Sequence, residues 1–477
     1  MKLKKLLDFD YEGLFADLEV TGITSDSRKV EEGFAFVCIK GALSDGHDYA
    51  KSAIEKGAAV VITQKDLKLE NQIISPDTHH TFSHMCGVWF DNPQKKLKLI
   101  GVTGTNGKTS TTYMIKQILE GLGHKVGLVG TIQNMIGNEV FEAKNTTPGM
   151  YELNSLFSQM VDAGCDYAVM EVSSHALDQK RVYNTEFEIG IFTNLTRDHL
   201  DYHLTMENYL EAKKKLFSMC KIAIVNKDDK YAEQMLEGLN CRVVTYSVDG
   251  FADYNARAIN YKPASVNYEF VYGSSIQHIC VNTGGKFTVY NSLSALCCAI
   301  ELGLDVRAAA EALKKLSGVK GRAEVVPCER DFTIIIDYAH TPDGLKNILE
   351  TFRECEKNRL TVLFGCGGDR DKTKRPIMGS VAARYADFVI VTSDNPRSET
   401  PSEIIKDILV GLKGSTTPYE VIENRAEAIK YAIETARKND IIVLAGKGHE
   451  TYQILPTGTI HFDEREVVAK VLAEIKD

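Results

Sequence analysis

The chain has 477 residues, too many for one hydrophobic core, so we expect two to four domains. Lys and Arg number 56 against 65 Asp and Glu, the net charge is -9, and no long basic block is present that could follow a nucleic-acid backbone. The eleven cysteines form no C-x-x-C pair, and no stretch approaches the roughly 20 apolar residues of a membrane-spanning helix. These features favour a cytoplasmic protein that binds neither nucleic acid nor a membrane.

Alternating apolar and helical segments predict an α/β fold in three domains. Residues 1–96 carry short β-like runs (GFAFVCI, AAVVIT) and one helix-like stretch, which indicates a small N-terminal α/β domain. Residues 97–322 form a central domain with a mostly parallel sheet, and residues 323–477 form a Rossmann-like domain with motifs at strand ends. The strand-length runs of the central domain lie at 99–102, 126–129, 167–170, 189–192 and 222–225.

The segment GVTGTNGKTS, at 101–110, has the properties of a phosphate-binding loop. Its glycines let backbone N–H groups converge on a phosphate, Lys108 supplies a positive charge, and Thr109 offers a hydroxyl to magnesium. A standard G-x-x-x-x-G-K motif requires glycine where Val102 lies, so this is a variant loop. The alternative is a plain glycine turn, but the Lys-Thr pair after an apolar strand favours nucleotide binding.

The variant loop, followed by Ser110, resembles the Mur ligases, and within them the MurE branch. Further motifs occur in the same order as in that family. The resemblance spans the whole chain and includes SDSR at 25–28. They are NTTPG (145–149), MEVSSHALDQKRV (170–182), FTNLTRDHLDYH (192–203), EAKKKLF (211–217), DYAHTPDGL (337–345), GCGGDRDKTKRP (365–376), DNPR (394–397) and GKGHE (446–450).

The resemblance implies an ATP-dependent amide ligase that joins meso-diaminopimelate to UDP-N-acetylmuramoyl-L-alanyl-D-glutamate through an acyl phosphate. The cofactors would be ATP and Mg²⁺, the partners would be these small molecules, and we expect a monomer. The three domains would bind the UDP substrate, ATP and the incoming amino acid, in chain order. Closure of the domains is expected, with Gly318, Gly321 and Arg322 as hinge elements.

The resemblance also assigns site residues. Catalysis would involve Lys108, Glu171, His199 and Lys213, and the metal ligands would be Thr109, Glu171, His199 and a carbamoylated Lys213. The ATP-binding residues would be Gly104, Thr105, Asn106, Gly107, Lys108, Thr109, Ser110, Asp337 and His340. The UDP-dipeptide residues would be Ser25, Ser27, Asn145, Thr146, Thr147, Ser173, Gln179 and Arg181. The diaminopimelate residues would be Arg370, Asp394, Asn395, Pro396, Arg397, Gly446 and Glu450.

Several of these residues have simpler interpretations. The His199 and His203 spacing could suggest zinc, but no further ligand has zinc-like spacing, and a surface position is the better interpretation of His203. Without the resemblance, Lys213 would lie on a solvated helix face. The pair Ser25 and Ser27 could equally cap a local turn.

The DNPR stretch bears on the amino acid that is added. Arg397 offers a planar two-pronged donor that suits the far carboxylate of diaminopimelate, while Glu450 would balance the far ammonium. A terminal ammonium alone, as in lysine, would be repelled by Arg397. The alternatives are a lysine-adding relative, a folylpolyglutamate synthetase-like ligase, or a nucleotide-binding scaffold without catalysis.

Overall fold

The computed structural model describes residues 1–41, 44–355 and 358–475, and the chain forms two compact units, Met1–Thr245 and Tyr246–Asp477. The strands that begin in the first unit are β1 (Gly22–Thr24), β2 (Phe34–Val37), β3 (Val60–Thr63), β4 (Gln72–Ile74), β5 (Lys98–Thr103), β6 (Val126–Val129), β7 (Gln133–Ile136), β8 (Glu139–Glu142), β9 (Tyr167–Glu171), β10 (Phe187–Phe192), β11 (Cys220–Asn226) and β12 (Arg242–Ser247). The α-helices are α1 (Ala50–Glu55), α2 (Thr78–Trp89), α3 (Lys108–Gly121), α4 (Met150–Asp162), α5 (Ser174–Asp178), α6 (Leu200–His203), α7 (Met206–Lys214) and α8 (Ala232–Leu236).

The first unit contains two sheets. Strands β1 to β4 are parallel and follow chain order, and the larger sheet contains the order β11-β10-β5-β9-β6-β7-β8, parallel from β11 to β6. Every residue of β9 is buried, as expected for a central parallel strand covered on both faces. One core cluster joins this sheet to α4 through Phe157 and Met160.

The second unit begins with an antiparallel group, β13 (Tyr254–Lys262), β14 (Ser265–Tyr272) and β15 (Ser275–Val281), followed by α9 (Lys286–Glu301) and α10 (Val306–Lys314). Its later strands are β16 (Glu324–Val326), β17 (Thr333–Asp337), β18 (Leu360–Phe364), β19 (Phe388–Val391), β20 (Tyr419–Val421), β21 (Ile441–Ala445), β22 (Tyr452–Leu455) and β23 (Gly458–His461). Its later helices are α11 (Pro342–Arg353), α12 (Lys374–Tyr385), α13 (Pro401–Val410), α14 (Arg425–Glu434) and α15 (Glu464–Glu474).

The six-stranded sheet of this unit has the order β16-β17-β21-β18-β19-β20, and it is parallel except for β16. The predicted α/β class with mostly parallel sheets is therefore confirmed, and every predicted central strand is present. The domain boundaries at 96 and 322 stay a prediction. Within the described residues, no helix is both long enough and apolar enough to span a bilayer.

Candidate functional site

The loop between β5 and α3 has the backbone of a phosphate-binding loop. Gly104 (φ +148°) and Gly107 (φ +85°) adopt conformations that side chains rarely allow, and a Cβ on Gly104 would lie 1.9 Å from Thr193 Oγ1. Lys108 begins α3, and Ser110 lies half-buried in its first turn. Because the N–H groups of a helix N-terminus bind anions, this loop can hold a phosphate.

Three residues after β10, which lie in the FTNLTRDHLDYH motif but had been assigned no role, hold the loop in place. The Thr105 backbone nitrogen donates to Asn194 O (2.8 Å), and the Asn106 backbone nitrogen donates to Asn194 Oδ1 (2.9 Å). Thr193 Oγ1 donates to Asn106 O (2.6 Å), and the Thr196 backbone nitrogen donates to Thr105 Oγ1 (3.0 Å). The available signal was a polar run, TNLT, directly after a buried parallel strand.

The Glu171 carboxylate ends β9 and is 1% exposed. Its Oε1 accepts hydrogen bonds from Thr109 Oγ1 (3.0 Å) and the Thr131 backbone nitrogen (2.8 Å), and its Oε2 accepts one from Thr131 Oγ1 (3.0 Å). Thr109 and Glu171 thus present a hydroxyl and a carboxylate, the hard oxygen ligands that Mg²⁺ prefers. These two side chains fit a divalent cation beside the phosphate loop, and Thr131 positions the carboxylate.

Lys213, on α7, is 1% exposed although its motif has the composition of a solvated helix face. Its Nζ donates to Gly104 O (2.8 Å), which also accepts from Lys108 Nζ (3.0 Å), and it lies 4.5 Å from the centre of the Tyr209 ring. Burial, and then the charge of Lys108, lowers the pKa of Lys213 well below its ordinary value. A neutral amine is the form that reacts with carbon dioxide, so this position meets the condition for carbamoylation.

His199 precedes α6 with a left-handed backbone (φ +53°), and its backbone nitrogen donates to Asp198 Oδ1 (2.8 Å). The His199 ring lies 4.8 Å from the ring of His175 and 6.2 Å from that of Tyr209. Burial lowers the pKa of His199, and Asp198 opposes that shift. Lys213 contacts the same Tyr209 ring. The structure therefore places His199 and Lys213, the two predicted ligands of a second metal ion, beside one tyrosine.

His203 is buried, and the predicted surface position is wrong. The side chain lies 2.9 Å from Ser174 Oγ through Nε2 and stacks on Tyr209 at 5.0 Å between ring centres. The prediction failed because α6 packs its last residue against α7. Within residues 1–41, 44–355 and 358–475, no group of three or more His, Cys, Asp or Glu side chains could hold a metal ion.

Four predicted UDP-dipeptide residues form one hydrogen-bonded group. Arg181 Nε and Nη2 donate to Gln179 Oε1 (3.1 and 2.6 Å), and Arg181 Nη1 donates to Thr147 O (2.9 Å). The Ser173 backbone nitrogen donates to Thr147 Oγ1 (3.1 Å), which itself donates to Glu171 O (2.8 Å). This group therefore adjoins the strand end that carries the candidate metal-binding carboxylate.

The other predicted substrate residues are less connected. Thr146 Oγ1 lies 3.1 Å from a neighbouring threonine hydroxyl, and Asn145 is exposed. Ser25 and Ser27 are half-buried in the turn after β1, where Asp26 Oδ1 accepts from the backbone nitrogen two residues later (3.0 Å). Asp26 thus provides a local cap in this turn, the role that the sequence had left open for the serine pair.

In the second unit, the loops after β17, β18, β19 and β21 follow strands that end at one edge of the sheet. Asp337 pairs with Ala445, and Phe364 pairs with both Ala445 and Val391. The motifs DYAH, GCGG, DNPR and GKGHE follow these strand ends, and Pro396 is buried within DNPR. Open α/β sheets bind ligands at this carboxyl edge.

The DNPR and GKGHE loops share a network of charged and amide groups. Asn395 Nδ2 donates to Glu450 Oε2 (2.9 Å), and Lys447 Nζ donates to Asn395 Oδ1 and Glu450 Oε2 (3.1 Å each). Lys447 Nζ also lies 3.6 Å from Asp394 Oδ1. A Cβ on Gly446 (φ +117°) would lie 2.7 Å from Asp394 Oδ2, so only glycine suits this close approach.

Two arginines flank the GCGG loop. Arg397 is half-buried, and its Nη1 donates to Gly368 O (2.8 Å) and Asn395 O (3.5 Å). A Cβ on Gly367 would lie 2.8 Å from Arg397 Nη1 and 3.8 Å from Cγ of the exposed Arg370. The structure therefore brings the predicted diaminopimelate residues together, with Arg397 and Glu450 linked through Asn395.

Asp337 and His340 lie at and just after the end of β17. Asp337 Oδ2 accepts from the Ala323 backbone nitrogen (2.7 Å), and burial raises the pKa of Asp337 while Arg322 opposes that shift. His340 is exposed, and its ring lies 4.6 Å from that of Tyr338. Their contact with a nucleotide stays a prediction.

The predicted hinge residues have special backbone conformations. Gly318 (φ +100°) and Gly321 (φ +68°) are left-handed, and a Cβ on Gly321 would lie 2.1 Å from the His449 backbone nitrogen. The Arg322 guanidinium lies 5.0 Å from the centre of the Tyr338 ring. Close packing explains the second glycine, and the hinge role stays a prediction.

A phosphate loop with a carboxylate at the next strand end, and a charged pocket on a Rossmann-like sheet, define an α/β enzyme of the nucleotide-dependent ligase class. Three family models match the chain: the catalytic domain of the Mur ligase family over residues 19–85, the Mur ligase middle domain over 102–299 and the Mur ligase glutamate ligase domain over 321–448.

The chain is also similar to proteins named UDP-N-acetylmuramoyl-L-alanyl-D-glutamate--2,6-diaminopimelate ligase. It is 49% identical to one from Clostridium acetobutylicum over 100% of both chains, and 48% identical to one from Caldanaerobacter subterraneus over 96% of both. A solved structure of a ligase with that name has 33% identity and a TM-score of 0.76 over 99% of both chains. The chain belongs to the Mur ligase family, which confirms the resemblance in its motifs.

Proposed function

We propose that the chain joins meso-diaminopimelate to UDP-N-acetylmuramoyl-L-alanyl-D-glutamate, using ATP, in the synthesis of peptidoglycan precursors. The names of its full-length relatives support this reaction. The observation in the structure that carries it is the pocket in which Arg397 and Glu450 both bond to Asn395, because a guanidinium and a carboxylate side by side match the far carboxylate and far ammonium of diaminopimelate.

The chemistry explains the need for ATP. A carboxylate is a poor electrophile, so the γ-phosphoryl group of ATP passes to a glutamate carboxylate oxygen and ADP leaves. The amine of the incoming amino acid then attacks the acyl carbon, and inorganic phosphate leaves together with the former carboxylate oxygen that carried the phosphoryl group. The chain must hold two anions together for the first step, which requires positive charge around the transferring group.

Residues around the phosphate loop supply that environment. The ATP phosphates would lie against the backbone N–H groups of residues 104–110, and Lys108 would turn from the loop carbonyls that it now contacts to the phosphates. Thr109 and Glu171 would hold one Mg²⁺, while His199 and a carbamoylated Lys213 would hold a second. When bound, Mg²⁺ neutralises the charges of the reacting phosphate and carboxylate.

Carbamoylation gives the buried Lys213 a function. The unmodified neutral amine lies next to Lys108 and offers no negative charge to a metal ion. Addition of carbon dioxide to the amine nitrogen, with loss of a proton, gives a carbamate, which is a carboxylate-like anion. The low pKa of Lys213 supports this modification because it favours the neutral amine.

The remaining assignments follow from the family. The connected group of Thr147, Ser173, Gln179 and Arg181, with Ser25, Ser27, Asn145 and Thr146, would bind the UDP-muramoyl dipeptide. Residues 1–96, 97–322 and 323–477 would bind the UDP substrate, ATP and the amino acid. We place the enzyme in the cytoplasm, where these precursors would be made, and expect a monomer.

The test is coupled turnover of the purified protein with lysine, glutamate and diaminopimelate compared side by side. We expect ADP and phosphate only when both the UDP-dipeptide and diaminopimelate are present, with the tripeptide product detected by mass. Preference for lysine or glutamate would identify one of the alternative ligases. Steady hydrolysis without the substrates, or no turnover with any amino acid, would contradict the proposal.

A further inference from the structure

Lys447 is a buried cation in the amino-acid pocket that none of the assigned roles explains. Its side chain is 0% exposed, and its Nζ lies within 3.6 Å of three oxygens, those of Asn395, Glu450 and Asp394. A fully buried ammonium is costly unless it is paired, and here two carboxylates and one amide oxygen pair it. Lys447 therefore belongs to the charge arrangement of the pocket as much as to its packing.

The charges of the pocket can be counted from the side chains already placed. Arg397 and Lys447 bring positive charge to the pocket, and Asp394 and Glu450 bring negative charge. A far end that carries an ammonium and a carboxylate has no net charge, whereas the far end of lysine carries one positive charge. Without Lys447 the pocket would carry one positive charge fewer and would repel lysine less.

We propose that Lys447 is a specificity-determining residue that makes the pocket reject amino acids whose far end is a lone ammonium. This inference rests on the proposed function. Lys447 acts in two ways, since it adds the charge that opposes a cation and it engages the carboxylates of Asp394 and Glu450. An ammonium without an accompanying carboxylate must then compete with Lys447 for those oxygens.

Asn395 links this cation to the arginine side of the pocket. Its Oδ1 accepts from Lys447 and from the Ile454 backbone nitrogen (3.0 Å), its Nδ2 donates to Glu450, and its backbone oxygen accepts from Arg397. The buried Arg425 Nη2 donates to Ala445 O (2.8 Å), at the strand end before GKGHE. The contacts with Asn395, Glu450 and Asp394 fix the position of the Lys447 ammonium.

The experiment compares kcat/KM for diaminopimelate and for lysine in full-length wild type, Lys447→Met and Lys447→Arg. We expect Lys447→Met to lower the ratio of the two values at least about tenfold, because it removes one positive charge 3.1 Å from Oε2 of Glu450, the carboxylate that would balance the substrate ammonium. Lys447→Arg, which keeps the charge, should restore part of the ratio. The exposed Lys406→Met is the matched control and should leave the ratio unchanged.

A second variant tests the charge argument with the opposite sign. Asp394→Asn makes the pocket more positive, so the ratio should rise, and this measurement stands even if Lys447→Met fails to fold. An unchanged ratio in Lys447→Met would overturn the proposal, and so would an unchanged ratio in Asp394→Asn. Equal losses of kcat/KM for both substrates count as an unchanged ratio. A wild type that uses neither amino acid would instead contradict the proposed function.

Discussion

Removal of the Arg397 guanidinium should weaken diaminopimelate use without unfolding the protein. In the structure Arg397 Nη1 donates to two neutral acceptors, Gly368 O and Asn395 O, and the side chain is only half-buried. Arg397→Ala leaves those carbonyl oxygens within reach of water and removes a cation rather than stranding one. We therefore expect the thermal unfolding temperature to change little.

The loss of activity can be estimated from the contact that the guanidinium would make with the substrate carboxylate. A hydrogen bond to a charged group contributes about 1.5–3 kcal/mol. Because 1.4 kcal/mol corresponds to about tenfold in an equilibrium constant, Arg397→Ala should lower kcat/KM for diaminopimelate by about 10- to 100-fold. Arg397→Lys keeps the charge but loses the two-pronged geometry, so its effect should be intermediate.

The assay is phosphate release at varied diaminopimelate with saturating ATP and UDP-dipeptide. The exposed Arg437→Ala in the same unit is the matched control and should behave as wild type. The KM for ATP should stay constant in all variants, since the change is confined to the amino-acid pocket. An Arg397→Ala enzyme with unchanged kcat/KM for diaminopimelate would refute the assigned role.

Three further predictions concern other residues. Lys213→Ala should lose activity and recover part of it with acetate, which can replace the carbamate, and no rescue in a phosphate-release assay would count against carbamoylation. Glu171→Gln should lower kcat by at least about tenfold because it removes the charge of a metal ligand. If the rate of this variant depended on Mg²⁺ concentration in the same way as the rate of the wild type, the metal-ligand role would be ruled out. Gly321→Ala should destabilise the protein by about 1–3 kcal/mol because its Cβ would lie 2.1 Å from the His449 nitrogen, and an unchanged melting temperature would show that the backbone there adapts.

Local sequence patterns predicted the strands and the loops at their ends. The run 126–129 is a strand with the predicted bounds, and each of the other predicted central strands is one to three residues longer than predicted. The strands could be predicted because buried parallel strands are continuous apolar runs. The phosphate loop followed from glycines and a Lys-Thr pair close together in the sequence.

Burial of single polar side chains could not be read from local patterns. The lysines of EAKKKLF look alike, yet Lys213 is buried because α7 places it against the Tyr209 ring and the Gly104 carbonyl oxygen. His203 and Lys447 were missed for the same reason, since their partners come from other segments of the chain. Only the family resemblance identified Lys213, and Lys447 lies in the GKGHE motif but had been assigned no role.

The central claim, that ATP activates the glutamate as an acyl phosphate, is tested most directly by following the carboxylate oxygens. UDP-dipeptide labelled with ¹⁸O in the glutamate carboxylates would be turned over with ATP and diaminopimelate, and the released phosphate analysed by mass. Each released phosphate should carry one ¹⁸O atom, because the amine expels phosphate together with the activated oxygen. Unlabelled phosphate formed at the rate of tripeptide synthesis would contradict the account.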